Sequence, residues 1–151
     1  MTARRPKVLP PVYLLASAIA MFALHRWLPL RQIVSGQSRW LGLAVAVLGL
    51  ALGGSAARLF RRRKTTIRPG ETSTTLMTDG PFRFTRNPIY VGMTLVLAGL
   101  AFGLGSLSPW FVIPAFVLAI AIDVIPAEEA MLAETFGDAY RAYQSRVRRW
   151  F

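Results

Sequence analysis

Three stretches of this 151-residue chain carry no charged side chain: Val8 to Leu24, Trp40 to Ala57 and Asn87 to Ile122. A bilayer core takes roughly 20 apolar residues per helix, so runs of this kind are what lipid accepts. The third run is too long for one span. It breaks at GLGSLSP, Gly103 to Pro109, where glycine, serine and proline favour a turn. The pattern predicts four spans, near 9–30, 40–60, 88–104 and 109–126, the last two forming a tight hairpin. Only 17% of residues are charged and the mean hydropathy is +0.43, whereas soluble domains are about one quarter charged. The expected fold class is an all-α integral membrane helical bundle with a cytosolic C-terminal amphipathic helix.

Charge placement orients the spans. All but three of the 18 basic residues fall in three segments: the N-terminus (Arg4, Arg5, Lys7), the connection after span two (Arg58 to Arg86) and the tail (Arg141 to Arg149). Four spans put these segments on one side. Arg26, Arg31 and Arg39 are alone on the other. Positive loops stay cytoplasmic, so both termini and the middle connection are expected in the cytosol. The net charge of +11 is accounted for by arginines at span ends facing anionic lipid head groups, which argues against a nucleic-acid partner. The chain has no cysteine and one histidine, His25, so disulfides, thiol chemistry and a zinc site are not expected. The first apolar run is expected to remain as a span, because no convincing small-residue cleavage site follows it.

A single domain over 1–151 is expected, with 9–60 as a two-span scaffold, 61–87 as a cytosolic connection and 88–151 as the functional hairpin and tail. Gly49 with Gly53, and Gly99 with Gly103, are small-xxx-small pairs that let helices approach closely. The Thr-, Gly- and Pro-rich connection reads as an extended lid, with a turn at Asp79-Gly80-Pro81. Pro88 suits the first turn of span three. Pro126 opens the tail helix and puts Glu128 and Glu129 in its first turn, where the helix dipole favours them. Leu132, Phe136, Tyr140, Tyr143 and Val147 form one helical face, which Gly137 interrupts and bends.

The stretch GPFRFTRNPIYVG, residues 80–92, raises the functional question, because a plain anchor has no use for Arg83, Arg86, Asn87 and Tyr90 at its entrance. A hairpin of spans three and four brings Arg86, Asn87 and Tyr90 beside Asp123, Glu128 and Glu129. Each residue also has a structural reading. Arg86 can snorkel to phosphate, Tyr90 can join an aromatic belt, Asn87 can cap the helix, and the glutamates can serve the dipole. Asp123, near the end of an apolar run, is costly there and expected to pair with an arginine. Their co-location says more than any one of them.

These residues carry a resemblance. Arg86, Asn87, Pro88, Tyr90 and Gly92, then an apolar hairpin, Glu128 and Glu129, then Leu132, Phe136, Gly137, Tyr140 and Tyr143, resemble the isoprenylcysteine carboxyl methyltransferase family, whose membrane fold phospholipid methyltransferases share. The likeness covers roughly residues 76–150. Asn87 departs from it, since eukaryotic members usually have histidine there. The resemblance implies S-adenosylmethionine (SAM) as methyl donor and S-adenosylhomocysteine (SAH) as product, with a lipid or lipophilic acceptor. It implies a catalytic set of Arg86, Asn87, Glu128 and Arg83. It implies a donor site of Asn87, Pro88, Tyr90, Gly92, Glu128, Glu129, Tyr140 and Trp150, and no metal. In that site a glutamate takes the donor's amino group or ribose hydroxyls, Arg86 its carboxylate, and aromatic residues its adenine. A carboxylate acceptor needs an orienting arginine, for which Arg83 and Arg148 are candidates. An amine or thiol acceptor needs a base instead. Two other readings stay open: an NADPH-dependent membrane reductase with a loosely similar C-terminal region, and a non-catalytic membrane subunit or sensor.

Overall fold

The structure, a computed structural model, describes residues 6–63 and 75–150. Arg4, Arg5, Lys64, Arg68 and most of the expected lid lie outside the described residues. Helix α1 spans Pro10–Trp27, with prolines in its first turn, where an absent N–H costs nothing. It ends as Leu28 leaves helical geometry ahead of Pro29, a residue type that disfavours helix at the preceding position. After a 3-10 turn at Gly36–Arg39, α2 runs over Trp40–Arg62. A second 3-10 turn, Gly80–Arg83, leads to α3, Pro88–Leu104. A third, Ser108–Phe111, opens α4, Val112–Ala119.

The expected separation of span four from the tail helix does not occur. From α4 the backbone passes through a π-helical turn, Ile120–Val124, straight into α5, Ile125–Arg146. The Ile125 N–H bonds the Ile120 carbonyl, one residue further back than in an α-helix. The turn resets the register, so Pro126 falls in the first turn of α5, where it interrupts nothing. The break comes later, at Gly137, with φ 49° and ψ −120°, a conformation that a Cβ would strain.

The helices form an antiparallel bundle. Glycines fix the α2–α3 pair: a Cβ on Gly42 would lie 2.5 Å from the Gly99 carbonyl oxygen, and one on Gly49 would lie 2.5 Å from that of Gly92. The reverse constructions, on Gly99 and Gly92, collide with the carbonyls of Gly42 and Gly49. The two backbones therefore touch at two points seven residues apart on each helix. Of the four glycines expected to mediate packing, Gly49 and Gly99 do so directly. Gly53 lies beside Gly92, while a Cβ on Gly103 would meet open space. Met21, Tyr90, Leu97, Ala101, Phe116, Ile120, Val124 and Ile125 make the core between α1, α3, α4 and α5. At the end of the bundle opposite Tyr90, the α1–α2 connection pairs with the α3–α4 turn. Ile33 and Val34 donate to the Gly105 carbonyl, and Leu107 donates to that of Arg31. Among the described residues there is no strand beyond the isolated bridge Gln32–Ser106.

The outer faces are apolar. Gly36–Arg62, 27 residues, and Ser108–Arg146, 39 residues, are long and apolar enough to cross a membrane, and Pro88–Leu104 is apolar but shorter. Only 17% and 28% of the two longer helices' apolar windows are buried, whereas a soluble core helix would be largely covered. Leu15, Ile19 and Phe22 on α1 and Leu43, Val47 and Leu50 on α2 are exposed. Faces of this extent fit lipid and the architecture of an integral membrane helical protein.

Candidate active site where α3 meets α5 and the tail

Asn87 stands at the N-cap of α3, with Pro88 as the first helical residue. That start aims Tyr90 into the bundle, where it is 6% exposed. The π turn delivers Glu128 and Glu129 on the first turn of α5 to the same place. The Tyr90 hydroxyl donates to Glu128 Oε1 at 2.6 Å. Arg86 lies 3.2 Å from Glu129 Oε1, with both side chains mostly buried. Burial matters because charges withdrawn from water are screened less, and an unmatched one costs more.

Beyond Gly137 the second part of α5 returns over this site. Tyr140 and Tyr143 are buried, and the Tyr143 hydroxyl donates to the Phe82 carbonyl at 2.7 Å. After Arg146 the chain is extended and lies along residues 85–87. The Arg86 N–H donates to the Arg148 carbonyl at 3.0 Å. Asn87 Nδ2 and Thr85 Oγ1 both donate to the Arg149 carbonyl, at 2.9 and 3.1 Å. The Arg149 guanidinium grips Glu129 with two contacts, Nε to Oε1 at 3.1 Å and Nη2 to Oε2 at 2.5 Å. Hydrogen bonding to Glu129 raises the pKa of Arg149 above its already high ordinary value.

These elements enclose a cavity of about 330 Å³. Arg86, Asn87, Tyr90, Glu128 and Glu129 supply its polar wall. Phe60, Met77, Phe82, Met93, Met131, Leu132, Tyr140 and Tyr143 make the rest mainly apolar. Mostly apolar lining with a few convergent polar groups is the usual make-up of a small-molecule site. Arg86 Nε is buried and has no hydrogen-bond partner, a condition shared among the described residues only by Trp110 Nε1. An unmatched buried donor is uncommon and marks a strained point in the packing around the cavity.

The structure brings Arg86, Asn87, Pro88, Tyr90, Glu128, Glu129 and Tyr140 to one cavity. It places four other candidates elsewhere. Gly92 faces α2, because it lies two positions and about half a turn from Tyr90 on the helix. Arg83 is exposed, because its neighbour Phe82 is the residue its turn buries. Trp150 packs against the core cluster rather than lining the cavity. The side chain of Arg148 is exposed, and only its carbonyl reaches the site. Asn87 makes no side-chain cap; its Nδ2 donates to the tail instead. Among the described residues Asp123 pairs with no arginine. It accepts from the N–H groups of Lys7 and Val8 and from the Tyr13 hydroxyl, at 3.0–3.3 Å, so it caps the start of α1. Thr85, Arg149 and the three methionines were not singled out from the sequence. Arg149 stood in a basic run that reads as a solvated helix end, and methionine carries no positional signal of its own.

Fold and site define an integral membrane helical protein with a polar-walled cavity at one end of its bundle. The model of the phospholipid methyltransferase family matches residues 37–139, and the chain belongs to that family. It is 37% identical over 62 residues to an uncharacterised protein of Haemophilus influenzae, an alignment covering 41% of this chain and 98% of that one. It is 32% identical over 72 residues to the protein-S-isoprenylcysteine O-methyltransferase of Schizosaccharomyces pombe, covering 48% of this chain and 30% of that protein.

Proposed function

We propose that this protein is a SAM-dependent methyltransferase acting on the carboxylate of a lipophilic acceptor. In this reading it crosses a bacterial inner membrane four times, with both termini and the cavity at the cytoplasmic face. The distribution of basic residues supports that orientation, since among the described residues all but Arg26, Arg31 and Arg39 belong to segments at the cavity end. The observation that carries the reading is a largely apolar cavity whose wall brings Arg86, Tyr90 and Glu128 together.

The residues present fit the donor. Arg86 can take its carboxylate, Glu128 its amino group or ribose hydroxyls, and Tyr140 and the methionines its flat adenine. When bound, SAM supplies an electrophilic methyl on a positively charged sulfur. Everything else is positioning, which is where a protein gains most in a simple displacement. The acceptor carboxylate forms the new O–C bond as the C–S bond breaks, and that electron pair stays on sulfur. No proton has to be removed, so the site needs no general base for this acceptor. Tyr90 holds Glu128 in one orientation through its 2.6 Å bond. The apolar lining excludes water and accepts the acceptor's hydrocarbon part.

Calorimetry on the detergent-purified protein tests the donor, with SAM, SAH and NADPH as titrants. Binding of SAM and SAH without NADPH is expected. NADPH binding alone would convert the protein into a reductase candidate, and no binding of SAM or SAH overturns the proposal. The acceptor class follows from transfer of labelled methyl groups to N-acetyl-S-farnesylcysteine, with phosphatidylethanolamine as the amine alternative. Label is expected on the acid.

A further inference from the structure

Arg86 and Glu129 of the cavity wall join Arg149, which lies outside the lining, in an ion cluster where two guanidinium groups share one carboxylate. Arg149 contacts both Glu129 oxygens, while Arg86 makes a single contact, 3.2 Å from Oε1. We propose that Arg149 is a positioning residue that engages Glu129 and thereby leaves the buried Arg86 guanidinium to bind a ligand carboxylate in the cavity. The inference deepens the methyltransferase reading and rests on it.

The physical argument concerns competition for Arg86. Its side chain is 13% exposed and that of Glu129 is 16% exposed, so water screens neither well. If Glu129 faced Arg86 alone, the two would form a self-satisfied pair, and an incoming carboxylate would meet a neutral wall. With Arg149 holding both Glu129 oxygens, Arg86 keeps one longer contact among the described residues and an unused Nε. The backbone fixes this arrangement, because Asn87 and Thr85 pin the Arg149 carbonyl and Arg86 itself pins that of Arg148. The tail is thus anchored beside the residue whose charge it releases. Glu128, the other carboxylate on this wall, is held by Tyr90. The ligand carboxylate is either the amino-acid end of the donor or the acid group of the acceptor.

Calorimetry on the full chain decides, using two probe pairs. SAH is compared with 5′-methylthioadenosine, which lacks the amino-acid end, and N-acetyl-S-farnesylcysteine with its amide. Wild type is expected to prefer the acid-bearing member of one pair, and the pair that responds identifies the source of the carboxylate. Arg149→Gln is expected to cut that preference about tenfold while leaving affinity for the acid-free member unchanged. The double variant Glu129→Gln/Arg149→Gln is expected to regain it, since nothing then competes for Arg86. A merely structural tie predicts no such rescue. Equal weakening of both members, or a double variant as poor as the single, overturns the proposal. If Arg149→Gln does not fold, Glu129→Gln alone decides: a higher acid preference supports the proposal and an unchanged or lower one overturns it. A wild type that binds neither SAM nor SAH sinks the methyltransferase reading and this inference with it. Normal SAH binding that Arg149→Gln leaves untouched in both pairs sinks the inference alone.

Discussion

Helix α3 is held by two contacts of opposite kind. Along α2 it is joined by bare backbone, with Gly42 against Gly99 and Gly49 against Gly92. At its start it is joined to α5 and the tail by long polar side chains, Tyr90 to Glu128 and Arg86 to Glu129. The difference follows from the solvent. In lipid, apolar side chains gain nothing by meeting one another, so pairing relies on close van der Waals packing, which small residues permit. Such a seam has no adjustable parts. The polar end has many, and it is also the end that surrounds a cavity. The seam therefore holds the bundle together, and the clasp holds the site.

The largest expected effect breaks the seam. Gly99→Val would drive a branched side chain into the Gly42 carbonyl and the Ala46 backbone, destabilising the protein by about 3 kcal/mol. Gly103→Val, one turn further along the same helix, meets open space and should leave the thermal midpoint within a degree or two of wild type, as surface substitutions do. Thermal unfolding in detergent measures both, and equal sensitivity of the two glycines would refute the seam. Next comes the bend. Gly137→Ala forces a Cβ onto φ 49°, ψ −120°, and should cost about 2 kcal/mol. Because Gly137 steers the second part of α5 over the cavity, SAH affinity should fall alongside stability, whereas Gly103→Val should leave it alone.

The two contacts were not equally legible in the sequence. The all-helical character was, because long uncharged runs and turn residues are local properties. The meeting of Arg86 and Tyr90 with the glutamates was also within reach, since a hairpin returns the chain to its starting level. The seam was legible only in part. Spacing of four within a helix pointed to Gly49 with Gly53 and Gly99 with Gly103, and Gly49 and Gly99 lie at the contact, but their partners Gly92 and Gly42 follow from a register between antiparallel helices that no single segment states. The described partners of Asp123 were hidden for a related reason: they are the N–H groups of Lys7 and Val8 and the Tyr13 hydroxyl, and none of these shows in a list of charges. The course of α5 depended on a π turn, a backbone adjustment with little sequence signature. Arg149 acts from an extended tail that helical periodicity does not describe.

A milder change sharpens the polar side of the comparison. Tyr90→Phe keeps the ring in the core and removes one donor to Glu128, at an expected cost of about 1–2 kcal/mol. If the clasp serves the site more than the bundle, methyl transfer should fall by a larger free energy than stability does, and parallel measurement of turnover and thermal midpoint gives the ratio. A stability loss as large as that of Gly99→Val, with turnover intact, would make the clasp a structural contact like the seam.

The smallest effect is expected from an ion pair that distance alone ranks with the Arg149 pair. Arg141 reaches Asp138 at 2.5 Å, the same separation as Arg149 Nη2 from Glu129 Oε2. The surroundings differ. The Arg141 and Asp138 side chains are 66% and 95% exposed, against 41% and 16% for Arg149 and Glu129. In water the first pair exchanges attraction for lost hydration and lost side-chain freedom, with little net gain. Its partners sit three residues apart on one helix and join no separate parts of the chain. Arg141→Gln should therefore change neither the thermal midpoint, nor turnover, nor ligand preference, while Arg149→Gln changes the last. If the two substitutions behave alike, contact length rather than burial and connectivity would govern this protein's charges, and the distinction between a clasp at the site and an ordinary surface pair would collapse.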